Sequence, residues 1–234
     1  MQNVGLQNLR AEISTGSVEQ LLGFAESAFK TIAKDGDELS IVVSGGQIAP
    51  RVLTSVLSLL TSRHHVNVIV SDERHTPRTE SRNSVQLDET IRTMAKPLSA
   101  SVSIIAPRFA GTPTESAQQF AADLTHVQSP ALAILGVGVD GHIAGLFPHH
   151  NLESSGPVSM TESAPEPFTS RVSLSLRFLK SIPNRWAFIV GREKNSLSSR
   201  LYDAGDLPVR RLQPTHWFLD VESLHESPTP RGIG

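Results

Sequence analysis

The chain has 234 residues, with 21 Lys or Arg against 23 Asp or Glu, so its formal net charge is −2. This balance excludes a strongly basic nucleic-acid-binding protein. The absence of cysteine excludes disulfide frameworks, thiolate nucleophiles and cysteine-based metal sites. The N-terminus lacks the pattern of a secretory signal and the longest apolar run is too short to span a bilayer, so we expect a cytoplasmic protein.

The first half of the chain predicts alternating helices and strands. Apolar spacing over 17–32 is typical of an amphipathic helix, and Ser17 and Gln20 form a capping box at its start. A turn at 35–37 leads into the apolar run 39–43, whose length and β-branching indicate a buried strand. The same reasoning predicts helices over about 50–60, 85–94 and 114–124, and strands over 66–70, 101–105 and 131–135.

The second half of the chain contains an irregular segment, after which strands and a helix are again predicted. Residues 149–170 are rich in Pro, Ser, Thr and Glu without a period, which predicts an irregular excursion. Beyond it, "RWAFIV" and "THWFLD" predict strands, and "EKNSLSSRLY" between them predicts a helix. We interpret residues 1–226 as one domain and 227–234 as a frayed tail.

Strands that alternate with helices of this length predict an α/β fold with a doubly wound, mostly parallel sheet and helices on both faces. Functional groups then lie at the carboxyl ends of the strands. Three loops follow predicted strands, at 44–46, 71–74 and 136–142, and we expect them to converge. Each also has an ordinary structural explanation, since two glycines suit a tight turn and Asp-Glu-Arg suits a solvated surface loop.

Two motifs for other chemistry are rejected on context. Residues 136–141 read G-x-G-x-x-G, but the irregular excursion follows where a dinucleotide-binding unit requires a helix and a second strand. The adjacent histidine pairs at 64–65 and 149–150 point their side chains apart in regular structure. We therefore expect no dinucleotide at the first motif and no metal.

Six motifs, "VVSGG", "SDERHTP", "LGVGVDGHIAGLFP", "RVSLSL", "GREK" and "THWFLD", resemble the 6-phosphogluconolactonase family in order and spacing. The resemblance implies a Rossmann-like α/β hydrolase that opens 6-phosphoglucono-δ-lactone in the oxidative pentose phosphate pathway, without metal or cofactor. Glucosamine-6-phosphate deaminases share the fold and the D-G-H-I-A pattern, and Ile143 is their typical residue. They continue F-N-E-P, whereas 145–148 here read G-L-F-P, which favours the lactonase.

The chemistry of lactone hydrolysis assigns roles to the matching residues. Water needs a base, and the His142 imidazole changes protonation near neutral pH, so it can take the proton and return it to the ring oxygen. Asp140 would orient and stabilise that imidazole, with the capping of a nearby N–H as its ordinary alternative. Arg74 is expected to serve the lactone end or to pair with Asp140.

The remaining matches predict where the phosphate and the sugar bind. The Ser44-Gly45-Gly46 loop enters a helix and offers N–H groups to an anion. Gln47 and Ile48 stand where the family usually has two hydroxyl residues, and each lost contact to phosphate costs about 1.5–3 kcal/mol unless it is replaced. The full set of expected binding residues is Ser44, Gly45, Gly46, Gln47, Asp72, Asn83, Gly141, Arg171 and Lys194, with Arg171 and Lys194 expected to neutralise phosphate.

Three functions remain open. The first is a 6-phosphogluconolactonase acting as a monomer or weak homodimer on a small sugar-phosphate lactone, without nucleic-acid or membrane partners. The second is an amino-sugar-phosphate deaminase or isomerase, for which Asp72 could supply the additional carboxylate. The third is a sugar-phosphate-binding protein without catalytic activity.

Overall fold

A computed structural model describes residues 11–33, 38–94, 98–148, 150–202 and 206–224. The turn expected at 35–37, His149 and the expected tail at 227–234 lie outside the described residues. None of the helices described is both long and apolar enough to cross a lipid bilayer.

The described residues form ten strands and seven α-helices. The strands are β1 (Glu12–Gly16), β2 (Glu38–Val43), β3 (His65–Val70), β4 (Asp72–Arg74), β5 (Ser101–Ile105), β6 (Leu132–Gly136), β7 (Val158–Thr161), β8 (Arg171–Leu174), β9 (Asn184–Ile189) and β10 (His216–Asp220). The helices are α1 (Val18–Phe29), α2 (Ile48–Leu57), α3 (Asn83–Arg92), α4 (Pro113–Leu124), α5 (Leu176–Ser181), α6 (Asn195–Tyr202) and α7 (Pro208–Leu212).

Seven strands form a parallel sheet in the order β1-β10-β9-β6-β2-β3-β5. The order runs outward in both directions from the centre of the sheet, so the prediction of a doubly wound, mostly parallel α/β fold is confirmed. The second sheet is small and antiparallel, in the order β4-β8-β7. It lies beyond the end of β3, because β4 follows β3 after a single residue.

Two apolar clusters cover the two faces of the parallel sheet. Side chains alternate across each strand, so Ile41 and Val43 of β2 belong to one cluster and Val42 to the other. Helices α1, α2 and α3 pack into the first cluster, and α4 to α7 into the second. The continuous apolar runs of the central strands are therefore explained by burial on both faces.

The helix starts agree with the capping residues. Ser17 and Gln20 form the expected capping box on α1, and Thr112 forms another with Glu115 on α4, where Pro113 occupies the first turn. These bonds satisfy backbone N–H groups that the first helical turn leaves without partners.

Several elements differ from the prediction. Residues 72–74 form β4, so the expectation of a loop over 71–74 is wrong; backbone pairing with β8 makes this segment a strand. The excursion at 149–170 contains β7, paired with β8. The pattern also missed β1, α5 and α7, because the first is a polar edge strand and the helices have only six and five residues.

Candidate active site

A cavity of 320 Å³ opens at the carboxyl ends of β2 and β6, bordered by β4 and β8. Ten of the twelve residues expected in the site line it: Ser44, Gly45, Gly46, Gln47, Asp72, Arg74, Asn83, His142, Arg171 and Lys194. Asp140 and Gly141 do not line it. Asp140 contacts the cavity through His142, whereas the carbonyl of Gly141 accepts a hydrogen bond from the N–H of Val209.

Asp140 and His142 form a close pair in the loop after β6. Nδ1 of His142 lies 2.5 Å from Oδ1 of Asp140, and the backbone N–H of His142 donates to the same oxygen at 3.0 Å. Partial burial acts to raise the pKa of Asp140, but the hydrogen bonds and charge of His142 outweigh it, so the pKa is lowered. Asp140 is therefore a carboxylate at neutral pH, and it fixes the ring through one nitrogen.

Two glycines allow the side chains of the site to approach the backbone. A Cβ at Gly138 would overlap the imidazole of His142, and a Cβ at Gly45 would overlap the amide of Asn83. Both glycines belong to motifs that follow strands in the sequence. Glycine is therefore required at these two positions by contacts within the site as well as by the turns.

β4 presents alternate side chains to the cavity and to the interior. Asp72 and Arg74 line the cavity, whereas Glu73 is 2% exposed and lines no part of it. The Glu73 carboxylate accepts hydrogen bonds from the backbone N–H groups of Arg74 at 2.9 Å, Asn83 at 2.7 Å and Ser84 at 2.9 Å. The triplet is thus not a solvated loop, since its central carboxylate caps the start of α3.

Asp72 is a buried carboxylate beside a cation. Its Oδ2 lies 3.9 Å from Nη1 of Arg171, and its Oδ1 accepts the hydroxyl of Ser71 at 3.1 Å. Burial raises the pKa of Asp72, and the neighbouring Arg171, Ser71, His142 and Arg74 oppose that rise. The backbone carbonyl of Asp72 accepts from Nδ2 of Asn83 at 2.9 Å, so β4 also positions the amide of that residue.

The cations of the cavity are held by main-chain oxygens. Arg74 donates to the carbonyl of Ser81, and Lys194 donates to the carbonyl of Val137. Nε of Arg171 donates to the carbonyl of Phe168 at 3.2 Å. Burial lowers the pKa of Lys194, which the charge of neighbouring Glu193 opposes.

The loop after β2 carries Gln47 and Ile48 at the two positions where an anion site lined by hydroxyl groups would have hydroxyl residues. Oγ of Ser44 accepts the N–H of Gly136 at 2.9 Å, which ties the loops after β2 and β6 together. Gln47 lines the cavity at the start of α2 without capping it through its side chain, and Ile48 is buried. The polar groups that this loop offers are therefore backbone N–H groups and the Gln47 amide.

Other residues lining the cavity were not expected in the site: Ile48, Gly136, Val137, Gly138, Ala144, Phe147, Pro165 and Glu166. The ring of Phe147 lies 4.7 Å from that of His142, measured between centroids. Phe147 belongs to the "LFP" motif, so the sequence held a signal for it. Glu166 lies in the excursion, where its position between two prolines was the signal available.

The charged groups of the site do not form a metal centre. Within the residues that the structure describes, no group of three or more His, Asp or Glu side chains could hold a metal ion.

A family model described as glucosamine-6-phosphate isomerases/6-phosphogluconolactonase matches residues 14–221. The chain belongs to this family. The resemblance inferred from the motifs is therefore confirmed. A 6-phosphogluconolactonase of Helicobacter pylori is 29% identical over 191 residues, covering 79% of this chain and 82% of the relative. One of Thermotoga maritima is 26% identical over 214 residues, covering 88% and 96%.

Solved structures show the same fold at lower sequence identity. The 6-phosphogluconolactonase of Thermotoga maritima superposes with a TM-score of 0.75 at 20% identity, covering 90% of this chain and 99% of that one. A monomeric glucosamine-6-phosphate deaminase also gives 0.75, at 13% identity, covering 91% and 98%. The architecture is thus common to both activities, and the side chains of the site must distinguish them.

Proposed function

We propose that the protein hydrolyses 6-phospho-D-glucono-1,5-lactone to 6-phosphogluconate, with His142 as the base that activates water. The observation that carries this proposal is the Asp140–His142 pair at the cavity wall. Because Asp140 engages Nδ1, Nε2 is the nitrogen that accepts the proton of water. The family and the names of the full-length relatives support the same reaction.

The reaction needs few groups. Water loses a proton to Nε2 of His142 and attacks the lactone carbonyl carbon, giving a tetrahedral oxyanion. Arg74 supplies positive charge for that oxyanion. The bond to the ring oxygen then breaks, and the imidazolium returns the proton to that oxygen. Asp140 keeps the ring oriented and stabilises its charged form throughout.

The phosphate is assigned to the loop after β2. Backbone N–H groups of Gly45, Gly46 and Gln47 precede α2, whose positive dipole end favours an anion. Lys194 and Arg171 add positive charge on the cavity wall. The arrangement relies on N–H groups and cations, since Ile48 offers no hydroxyl.

The test is proton release from freshly generated 6-phosphogluconolactone and from gluconolactone, with no added metal. We expect hydrolysis faster than the spontaneous rate and dependent on the phosphate. His142→Ala should lower kcat by about 10²–10⁴-fold. His65→Ala is the matched control, because His65 is exposed at the start of β3 and so lies at the amino ends of the strands, away from the cavity at their carboxyl ends. Full activity of His142→Ala would refute the base assignment.

A second candidate is kept because of Asp72. An amino-sugar-phosphate isomerase needs a further carboxylate base, and Asp72 lines the cavity with a pKa raised by burial. The same protein is therefore assayed for ammonia release from glucosamine 6-phosphate. Activity there without lactone hydrolysis would favour the isomerase, and binding of 6-phosphogluconate without either activity would favour a non-catalytic binding protein.

A further inference from the structure

A short loop at the end of the excursion reaches the mouth of the cavity. The N–H of Ala164 donates to the carbonyl of Thr169 at 2.9 Å and closes the loop, and Ala164 itself is buried. Between these two residues the loop carries Pro165 and Glu166, which both line the cavity. The sequence pattern gave this segment no role.

Phe168 fastens this loop to two cations of the site. The guanidinium of Arg74 lies over the Phe168 ring, 5.6 Å from its centroid. The Phe168 carbonyl accepts Nε of Arg171 at 3.2 Å. A third contact, a hydrogen bond from the N–H of His75 to the carbonyl of Ser170 at 3.0 Å, holds the base of the loop against the end of β4. The loop is therefore fixed where it places a carboxylate at the cavity.

The two acidic residues of the cavity differ in their ion pairing. Among the residues that the structure describes, Asp72 has Arg171 as its ion-pair partner, whereas Glu166 has none. Asp72 and Glu166 both line the same cavity, but Glu166 is exposed. Its charge therefore acts on whatever ligand occupies the cavity.

We propose that Glu166 is a specificity-determining residue, whose negative charge weakens binding of the phosphate-bearing ligand and so reduces the preference for phosphorylated over unphosphorylated lactones. The inference rests on the proposed function, because it takes the sugar phosphate to bind in this cavity. The Glu166 charge would therefore let the site accept neutral, polyhydroxylated lactones more readily, relative to phosphorylated ones, than its cations alone would allow.

The size of the cavity sets the expected effect. Glu166 and the loop after β2 line one cavity of 320 Å³, whose width is comparable with the Debye length of about 10 Å at 0.1 M salt. Charges on opposite walls therefore interact, although water at the open mouth weakens the interaction. We expect removal of the Glu166 charge to tighten binding of a phosphate dianion by about two- to tenfold.

The experiment measures binding and turnover for wild type, Glu166→Gln and Glu162→Gln. Glu162 is the matched control: it is an exposed carboxylate four residues earlier, it lines a neighbouring cavity, and its replacement changes the net charge equally. The probes are 6-phosphogluconate for the dissociation constant, and the phosphorylated and unphosphorylated lactones for the ratio of their kcat/KM values.

We expect Glu166→Gln to bind 6-phosphogluconate more tightly at 0.05 M salt, to lose that gain at 1 M salt, and to raise the kcat/KM ratio by a similar factor. Glu162→Gln should match wild type. Unchanged or weaker binding in Glu166→Gln, or an equal gain in Glu162→Gln, would overturn the inference. A wild-type protein that binds 6-phosphogluconate but hydrolyses no lactone would contradict the proposed function alone, since the binding comparison would still decide the role of Glu166.

Discussion

Replacement of Glu73 by Gln tests whether the buried carboxylate of β4 organises the site. One carboxylate oxygen accepts the N–H groups of Arg74 and Asn83, and the other accepts that of Ser84 and lies 3.7 Å from Nε of Arg82. Glutamine keeps one of these oxygens and puts an NH₂ group in place of the other. That NH₂ faces the donors of Ser84 and Arg82, so one hydrogen bond is lost and donors oppose one another.

The expected cost follows from these contacts. A hydrogen bond to a charged group contributes about 1.5–3 kcal/mol, and a buried donor left without an acceptor costs about 1–3 kcal/mol. Since the two terms overlap, we expect Glu73→Gln to lower the free energy of unfolding by about 2–4 kcal/mol. For a chain of this size, each kcal/mol lowers Tm by about 2–4 °C, so Tm should fall by roughly 5–15 °C.

The assay combines thermal unfolding with lactonase kinetics below the lower Tm. Activity should fall in the folded variant too, because Glu73 fixes the backbone of Arg74 and of Asn83, which line the cavity. Glu80→Gln is the control, since Glu80 is an exposed carboxylate close to the same helix start. If Glu73→Gln unfolded within about 2 °C of wild type and kept full activity, the assigned role of the carboxylate would be wrong. The limit is set at about 2 °C because a loss of about 1 kcal/mol in the free energy of unfolding should lower Tm by at least that much.

Three further outcomes test the site and the sheet. Gly138→Ala should lower kcat by about 10²-fold or more, because its Cβ displaces the His142 imidazole; unchanged kinetics would contradict the close approach. Asp140→Asn should lower kcat by about 10²-fold while Tm stays near wild type, because it removes the charge that stabilises the imidazolium; a pH–rate profile that keeps its wild-type height would contradict this. Burial lowers the pKa of His216, which Glu12 opposes. At His216 the unfolded chain therefore binds more protons than the folded one as the pH falls below about 6.5, so the contribution of this residue to stability should fall there and His216→Gln should flatten the slope of stability against pH in denaturant titrations.

The parallel sheet and most of the site could be predicted because their signals are local. Continuous β-branched runs such as 39–43 indicate strands buried on both faces. A loop directly after such a strand lies at the carboxyl edge of the sheet, so the sequence alone predicts that 44–46 and 136–142 lie near each other. Neither the buried strands nor the position of the loops after them depends on a contact between distant segments for its prediction.

The parts that were missed depend on contacts between distant segments. Three adjacent charged residues are typical of a solvated loop, and only the amide groups at the start of α3 make Glu73 a buried acceptor. Glu166 follows a stretch with no period, and its place at the cavity is decided by Phe168 contacting arginines from β4 and β8. Periodicity carries no information about such pairings.

Arg171 connects Asp72 to the loop that carries Glu166. Its Nη1 faces Asp72 on β4, and its Nε donates to the carbonyl of Phe168 in the loop that carries Glu166. A change of charge at Glu166 leaves these contacts intact, so it should alter ligand affinity through the electrostatic field alone. A change at Phe168 removes the ring beneath Arg74, so we expect it to loosen a cation that we assign to the oxyanion, leaving the Ser81 carbonyl as its partner. We therefore expect changes at these two residues of one loop to affect different quantities, Glu166 mainly KM and Phe168 mainly kcat.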